Sequence, residues 1–332
     1  MFNAQCSMFN VQCSMFNVQC SMNKVVGVGE TILDILFKNN QPVAAVPGGS
    51  SFNSIISVGR AGVPCAFVGY TGADVVGQQT VDFMHKNGVS TEYFEVRKEE
   101  KSAVSLAFLN EDGDAEYVFY KQPPMSKPDW KAPTLSANDV LLLSSYYAIC
   151  KGTRLMISQL LEEANKAGAM IYYDVNFRPG HVHELEALMP NIHSNFRMSS
   201  IVRGSADDFE VMYGIRDASL IYQKHIQAYC PIFICTAGAG KIEVWMPEKS
   251  YTFEAPQIGN VVSTVGAGDS FNAGFSCALI WMGITKEMLP NLTEEQWKKL
   301  IDIACQFACN ACQSKENYIS PGFHPEERGY RL

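Results

Sequence analysis

From Lys24 onward, short apolar runs of strand length alternate with amphipathic segments of helix length, and this alternation constrains the fold more than any other feature of the chain. It is the pattern of a mostly parallel sheet whose crossover helices cover both faces. Strands are expected at 25–28, 65–68, 140–143, 170–174, 200–202 and 232–236, and helices at 51–61, 76–87, 153–167, 207–213, 266–282 and 294–312. The expected class is therefore α/β, a doubly wound, mostly parallel sheet flanked by helices. One region breaks the alternation. Segments 102–109 and 116–120 flank Asn110-Glu111-Asp112-Gly113-Asp114 and read as a β-hairpin. A further extended piece, 37–46, precedes Gly48-Gly49. Neither has a helix to cover it, so the two are expected to pair as a small β-lid with one apolar face. Such a face must cover a ligand or pack on a second copy of itself.

Composition removes several classes of partner. A chain of 332 residues, 47% hydrophobic and 18% charged, is long enough to bury a large core. Its formal net charge of -8 would repel a phosphate backbone, so nucleic acid is not an expected partner. The longest strongly apolar run, 275–284, is about half of the roughly 20 residues that cross a bilayer, and it reads as a buried helix with no membrane span. Residues 1–21 repeat a seven-residue unit (Met1 to Ser7, Met8 to Ser14, Met15 to Ser21) and are followed by Met22. The repeat is too short for a coiled coil. It is expected to be an upstream duplication, with translation starting at Met22, or a disordered tail. No basic segment leads into an apolar one, as a secretory signal requires, and many cysteines have no evident pairing, so a reducing cytoplasm is expected.

Of the eleven cysteines, Cys6, Cys13 and Cys20 belong to the repeat. Cys305, Cys309 and Cys312 stand at helical spacing in an apolar segment and read as small hydrophobes, because a zinc site would need a second Cys-x-x-Cys pair or histidine partners. His181, His183 and His193 read as surface residues of a polar loop.

The chemistry concentrates in Ser263-Thr264-Val265-Gly266-Ala267-Gly268-Asp269, which leads into an apolar helix. Glycines let backbone approach a ligand closely, and the free N–H groups of a helix start attract an anion. An acid at that place can take a proton from an attacking hydroxyl, as phosphoryl transfer requires. Alone, Asp269 reads equally well as an acid that satisfies the helix dipole. Other loops that follow strands add weight. Gly29-Glu30-Thr31-Ile32-Leu33-Asp34 is read as ending the first strand, which delivers Asp34 to the ligand crevice of an open sheet. Gly48-Gly49-Ser50-Ser51-Phe52-Asn53 enters a helix. Asp174-Val175-Asn176-Phe177-Arg178 groups an acid, an amide and a guanidinium. Arg203-Gly204-Ser205-Ala206-Asp207-Asp208 and Thr236-Ala237-Gly238-Ala239-Gly240-Lys241 complete the set.

With these motifs in this order, the chain from Lys24 to about Ser320 resembles the ribokinase-like (PfkB) carbohydrate kinases. The resemblance implies a ribokinase-like domain over 22–332, a lid built from about 36–47 and 92–122, and transfer of the ATP γ-phosphoryl group to a sugar hydroxymethyl with Mg2+ bridging the phosphates. It implies that Asp269 is the base and that Gly266, Ala267 and Gly268 form the anion hole. Asp34, Gly48, Gly49 and Asn53 would grip sugar hydroxyls, with Lys121 and Arg178 also facing the substrate. Asn176, Thr236, Gly238 and Gly240 would face the nucleotide. Ser205 and Asp208 match an Asn-x-x-Glu motif associated with phosphate and Mg2+, with Asp208 acting on the metal through water. A homodimer joined through the lids is expected. Ser263 replaces an acid that helps hold a monovalent cation in the family, so the resemblance leaves a potassium requirement open. Val175 replaces the proline of the usual Asp-Pro-Asn.

Tyr117-Val118-Phe119-Tyr120-Lys121-Gln122-Pro123-Pro124 resembles a stretch of the fructokinases, which with Glu30, Asp34 and the 174–178 loop points to fructose phosphorylated at its 6-hydroxyl. The alternative is 2-keto-3-deoxygluconate, with Lys121 and Arg178 meeting its carboxylate. Ribose, tagatose phosphate and nucleosides follow. A catalytically silent sugar-binding regulator on the same fold is the reading from another class, and the retained acid at Asp269 argues against it. No Gly-x-x-x-x-Gly-Lys-Ser/Thr motif supports a P-loop enzyme, and Gly27-x-Gly29 lacks the third glycine of a dinucleotide fingerprint.

Overall fold

The apolar runs become the centre of a twisted sheet in the computed structural model, which describes residues 23–109, 115–120 and 130–325. In chain order the elements begin with β1 (Val25–Val28), β2 (Ile32–Lys38), β3 (Gln41–Gly48), α1 (Ser50–Arg60), β4 (Cys65–Gly72) and α2 (Val75–Lys86). The short strands β5 (Val89–Ser90) and β6 (Phe94–Arg97) precede the hairpin strands β7 (Ala103–Leu109) and β8 (Ala115–Tyr120). Next come β9 (Val140–Ser144), α3 (Arg154–Lys166), β10 (Met170–Asp174), α4 (Leu185–Met198), β11 (Ile201–Ser205), α5 (Ala206–Tyr213) and α6 (Ala218–Ile221). The chain closes with β12 (Phe233–Thr236), β13 (Lys241–Trp245), β14 (Ser250–Glu254), α7 (Ala267–Trp281) and α8 (Glu294–Cys312).

The large sheet runs β14-β13-β12-β11-β10-β9-β1-β4-β5, with β6 also on β4. Pairings from β12 through β4 are parallel, whereas β13 and β14 are antiparallel additions at one edge. Because the central strands are covered on both faces, they are apolar throughout rather than alternating. Val25, Leu142 and Tyr172 pack into a core shared with α1, α7 and α8, while Val26, Leu141, Leu143 and Tyr173 face a second core shared with α3, α4 and α5. The parallel strands all end on one edge, so the segments that follow β1, β9, β10, β11 and β12 gather there.

The two extended pieces form a separate sheet ordered β3-β2-β7-β8. It leaves Val43, Phe108, Val118, Phe119 and Tyr120 exposed. Among the described residues no helix is long and apolar enough to cross a membrane.

The sequence reading needs correction in four places. Asp34 does not end the first strand: β1 stops at Val28, and Asp34 lies within β2 of the small sheet. Residues 94–97 were expected in the lid but pair with β4 of the large sheet. The supposed polar loop carrying His193 is helix α4, whose Leu188, Ile192 and Phe196 are buried along one helical face despite Pro190 within it. His193 stacks on Tyr229 and His181 on Tyr146, so neither is a free surface ring. Cys305 and Cys312 are buried on α8 as small hydrophobes. The repeat, the turn at 110–114 and Lys121 lie outside the described residues.

Candidate active site

Helix α7 starts behind Gly266, which sits in the left-handed region at φ 79°, where any side chain would also run into the Asn317 carbonyl. That turn presents the helix start to the sheet edge. Of the residues read as an anion hole, Ala267 already donates its N–H to the Thr264 carbonyl at 3.2 Å. Gly268 closes over Arg203: a Cβ at Gly268 would lie 3.3 Å from Arg203 Nη1.

Asp269 follows in the first turn, half-buried, and α1 supplies both of its partners. Ser50 Oγ donates to Oδ1 at 2.6 Å, and Asn53 Nδ2 donates to Oδ2 at 2.9 Å. Burial pushes the Asp269 carboxyl up to about 6, against the pull of the Ser50 and Asn53 hydrogen bonds; the Asp174 charge raises it and Arg178 lowers it. Asn53 is thus placed on the Asp269 carboxyl, and its buried Oδ1 has no partner among the described residues. Arg178 is exposed on the rim.

Gly49 admits α1 to this place. Its φ of 126° and the nearby Glu30 carbonyl leave no room for a side chain. Gly48 is needed for a different reason, since a Cβ there would come within 2.5 Å of Asp34 Oδ2. Asp34 accepts a short hydrogen bond from Ser105, its register partner on β7. Burial also drives the Asp34 carboxyl up to about 6, with Ser105 opposing and Glu30 adding to the rise.

Behind these acids lies a polar cluster that the sequence did not reveal. Arg203 Nη1 donates to both oxygens of Asp174 at 3.0 Å, and Arg203 Nη2 donates to Thr236 Oγ1 at 2.7 Å. Asn272 Nδ2 donates to Asp174 Oδ2 at 2.7 Å, and Asn272 Oδ1 accepts from the Tyr172 hydroxyl at 3.1 Å. Thr236, read as a nucleotide contact, therefore spends its side chain on Arg203. Asn176 is buried in the left-handed region at φ 37°. Gly238, at φ 54°, and Gly240 make the tight turn between β12 and β13, closed by Gly240 N–H on the Ala237 carbonyl at 2.8 Å.

Ser205 and Asp208 form a capping box at the start of α5: Asp208 N donates to Ser205 Oγ at 3.1 Å and Ser205 N to Asp208 Oδ2 at 2.7 Å. One oxygen of the acid read as a metal contact is thus committed to the helix cap. Burial first, and the Asp174 charge second, raise its pKa. Among the described residues no group of three or more His, Cys, Asp or Glu is arranged to hold a metal ion. Ser50, Ser144 and Arg203 are the site residues missed from the sequence. Arg203 stood in a segment already singled out, two positions before Ser205, but its partner Asp174 is distant in sequence.

The description "pfkB family carbohydrate kinase" matches residues 22–321. The chain belongs to the pfkB family of carbohydrate kinases. As a member of that family it is a phosphotransferase that moves a phosphoryl group from ATP to an alcohol group of a sugar. It is similar to a fructokinase of Salmonella typhimurium, 22% identical over 285 residues, covering 82% of this chain and 91% of that protein. It is also similar to an aminoimidazole riboside kinase of Salmonella typhimurium, 27% identical over 262 residues and covering 76% and 79%. The ribokinase-like fold is matched by the fructokinase of Vibrio cholerae O395 in its fructose, ADP and calcium ion bound form. That match has a TM-score of 0.77 at 17% identity, covering 89% of this chain and 94% of that one. The Salmonella enterica aminoimidazole riboside kinase, complexed with aminoimidazole riboside and an ATP analog, matches with a TM-score of 0.74 at 21% identity, covering 91% and 97%.

Proposed function

We propose that this pfkB carbohydrate kinase phosphorylates a neutral sugar, fructose at its 6-hydroxyl, with Asp269 as the general base. The observation that carries the reading is the pair of carboxylates, Asp269 and Asp34. One stands at a helix start with donors on both oxygens, the other on the small sheet, and burial raises both to about 6. A carboxylate that is ionised near neutral pH, yet raised from its ordinary value, is a stronger proton acceptor than a solvated one. Asp34 and Glu30 favour a neutral, hydroxyl-rich substrate, because a sugar carboxylate beside them would meet like charge. Arg178 is the cation of this side that favours the acidic alternative, 2-keto-3-deoxygluconate; Lys121 lies outside the described residues. Fructokinases among the relatives support the neutral sugar, and the aminoimidazole riboside kinases keep a riboside in contention.

The sugar is held against Asp34 under the small sheet, with its hydroxymethyl group at Asp269. The backbone N–H groups at the start of α7 face the charge that develops on the transferred phosphoryl group. The sugar O–H bond breaks as its oxygen bonds to the γ-phosphorus. The proton passes to Asp269, the bond to the bridging oxygen of ATP breaks, and ADP leaves. Mg2+, which takes few protein ligands where phosphates are present, would supply charge neutralisation on the phosphates, with Asp208 the acid that meets it through water. Closure of the small sheet over the sugar excludes water. On the face away from Asp34, Val118 and Tyr120 are 41% and 61% accessible, which supports a homodimer joined lid to lid.

The test is ADP release with Mg-ATP against fructose, 2-keto-3-deoxygluconate, ribose, aminoimidazole riboside and adenosine, in sodium and then in potassium. Fastest turnover on fructose in either salt is expected. Preference for 2-keto-3-deoxygluconate, with loss of that preference in Arg178→Ala, would replace the neutral-sugar reading. Light scattering should report a dimer, and Tyr120→Glu should shift it to monomer.

A further inference from the structure

Ser50 occupies the first position of α1, but its hydroxyl does nothing for that helix. The N-cap is Gly49, no side chain caps the helix start, and the Ser50 carbonyl, not its hydroxyl, accepts from Ser54 Oγ at 3.2 Å. Alanine, a better helix former, would serve the helix as well. The hydroxyl instead crosses to α7 and donates to Asp269 Oδ1 at 2.6 Å, a partner 219 positions away.

Ser50 is backed in turn. Ser144, the last residue of β9, donates its hydroxyl proton to Ser50 Oγ at 2.9 Å, and Ser51 Oγ lies 2.9 Å from Ser144 Oγ. A serine has one proton to give. With the Ser50 proton on Asp269 and the Ser144 proton on Ser50, the Ser51–Ser144 bond must be donated by Ser51. The chain therefore runs Ser51 to Ser144 to Ser50 to Asp269, with every donor aimed at the carboxylate. Ser51 and Ser144 are 3% and 1% exposed, so water does not compete for these bonds. Hydrogen bonds in series polarise one another, and the one that ends on a charge gains most. The buried end also gives the chain no outlet for a proton. Its work is on the carboxylate, not in carrying the proton away.

We infer that Ser50, backed by Ser144 and Ser51, is a positioning residue that holds the Asp269 carboxylate ionised and fixed in orientation for the attacking hydroxyl. This rests on the reading of Asp269 as the base. Asn53 Nδ2 holds the other oxygen, so the carboxylate plane is fixed from two sides while each oxygen keeps a lone pair for the substrate proton. Among the described residues, the charged groups that act on Asp269 are Asp174 at the end of β10 and Arg178 in the loop beyond it, and Arg203 on β11 lies beneath the neighbouring Gly268. None is altered by a change at Ser50 or Ser144, so a change in the titration of the base reads the hydroxyl chain itself.

The experiment compares Ser50→Ala, Ser50→Thr and Ser144→Ala with the parent enzyme, measuring kcat and KM for the best sugar from pH 5 to 9 and the melting temperature of each. Ser50→Ala should lower kcat roughly 10- to 100-fold, the worth of a hydrogen bond to a charged group. It should also move the acid limb of kcat to higher pH by about one unit, with KM for the sugar little changed. Ser144→Ala should move the limb the same way by less, without touching Asp269. Ser50→Thr should restore it. An acid limb unmoved in both alanine variants overturns the inference, as does an effect confined to KM or to melting temperature. Asp269→Asn separates the two layers. If it turns over normally, the base reading fails; if it is inactive while Ser50→Ala keeps the parent limb, only the present inference fails. Should Ser50→Ala not fold, Ser144→Ala decides the inference by the same limb.

Discussion

Arg203→Met tests whether the buried cluster holds the site together. The parent guanidinium is buried against Asp174, which is itself 1% exposed, and gives three hydrogen bonds of 3.0, 3.0 and 2.7 Å to Asp174 and Thr236. Methionine fills much of the volume but leaves Asp174 as a buried carboxylate with Asn272 as its remaining side-chain donor among the described residues. Breaking a buried pair from one side costs about 3–5 kcal/mol, chiefly because the other charge is stranded. Natural domains have about 5–15 kcal/mol in all, so roughly a fifth or more of the stability is at stake. At about 2–4 °C per kcal/mol for a chain of this order of size, the melting temperature should fall by about 6 to 20 °C. Urea denaturation read by tryptophan fluorescence measures the same loss at constant temperature. The double variant Asp174→Asn/Arg203→Met removes both charges and should be more stable than the sum of the single losses predicts, by about 0.5–3 kcal/mol. If Arg203→Met lies within about 1 kcal/mol of the parent, or the double variant is simply additive, the cluster is not the brace described here.

Two more outcomes follow from the site. Burial raises the Asp269 and Asp34 carboxyls to about 6, and the roles proposed for them need both ionised, so activity should be full above pH 7 and fall as pH drops through 6; an acid limb near 4 would contradict both assignments. Gly266→Ala should abolish turnover, since the left-handed backbone and the Asn317 carbonyl both reject a side chain; normal kcat in that variant would show that the helix start tolerates displacement.

The centre of the fold was legible because parallel strands covered on both faces must be apolar runs, and 25–28, 140–143 and 170–174 are such runs. Edges were less so. Strands β13 and β14 are half-exposed and mixed in polarity, so no apolar run marks them. Helix α4 hid behind Pro190 and two nearby histidines, although Leu188, Ile192 and Phe196 carry the helical spacing that would have found it. Asp34 fell on the wrong strand because Gly29-Glu30-Thr31 reads as a strand end but is a short crossing into the small sheet. The glycines and acids of the site could be singled out in sequence because each answers a local demand of turn or helix start. The roles of Ser50, Ser144 and Arg203 could not, because each is defined by a partner brought near only by the fold.

The central claim, that Asp269 takes the proton of the attacking hydroxyl, is tested most directly by steady-state ADP release from Asp269→Asn at saturating Mg-ATP and sugar, alongside sugar binding by calorimetry. The amide keeps the size of the side chain and removes the base. The account predicts a folded protein that still binds sugar and loses turnover by roughly 10²- to 10⁴-fold. Turnover within about threefold of the parent would contradict it.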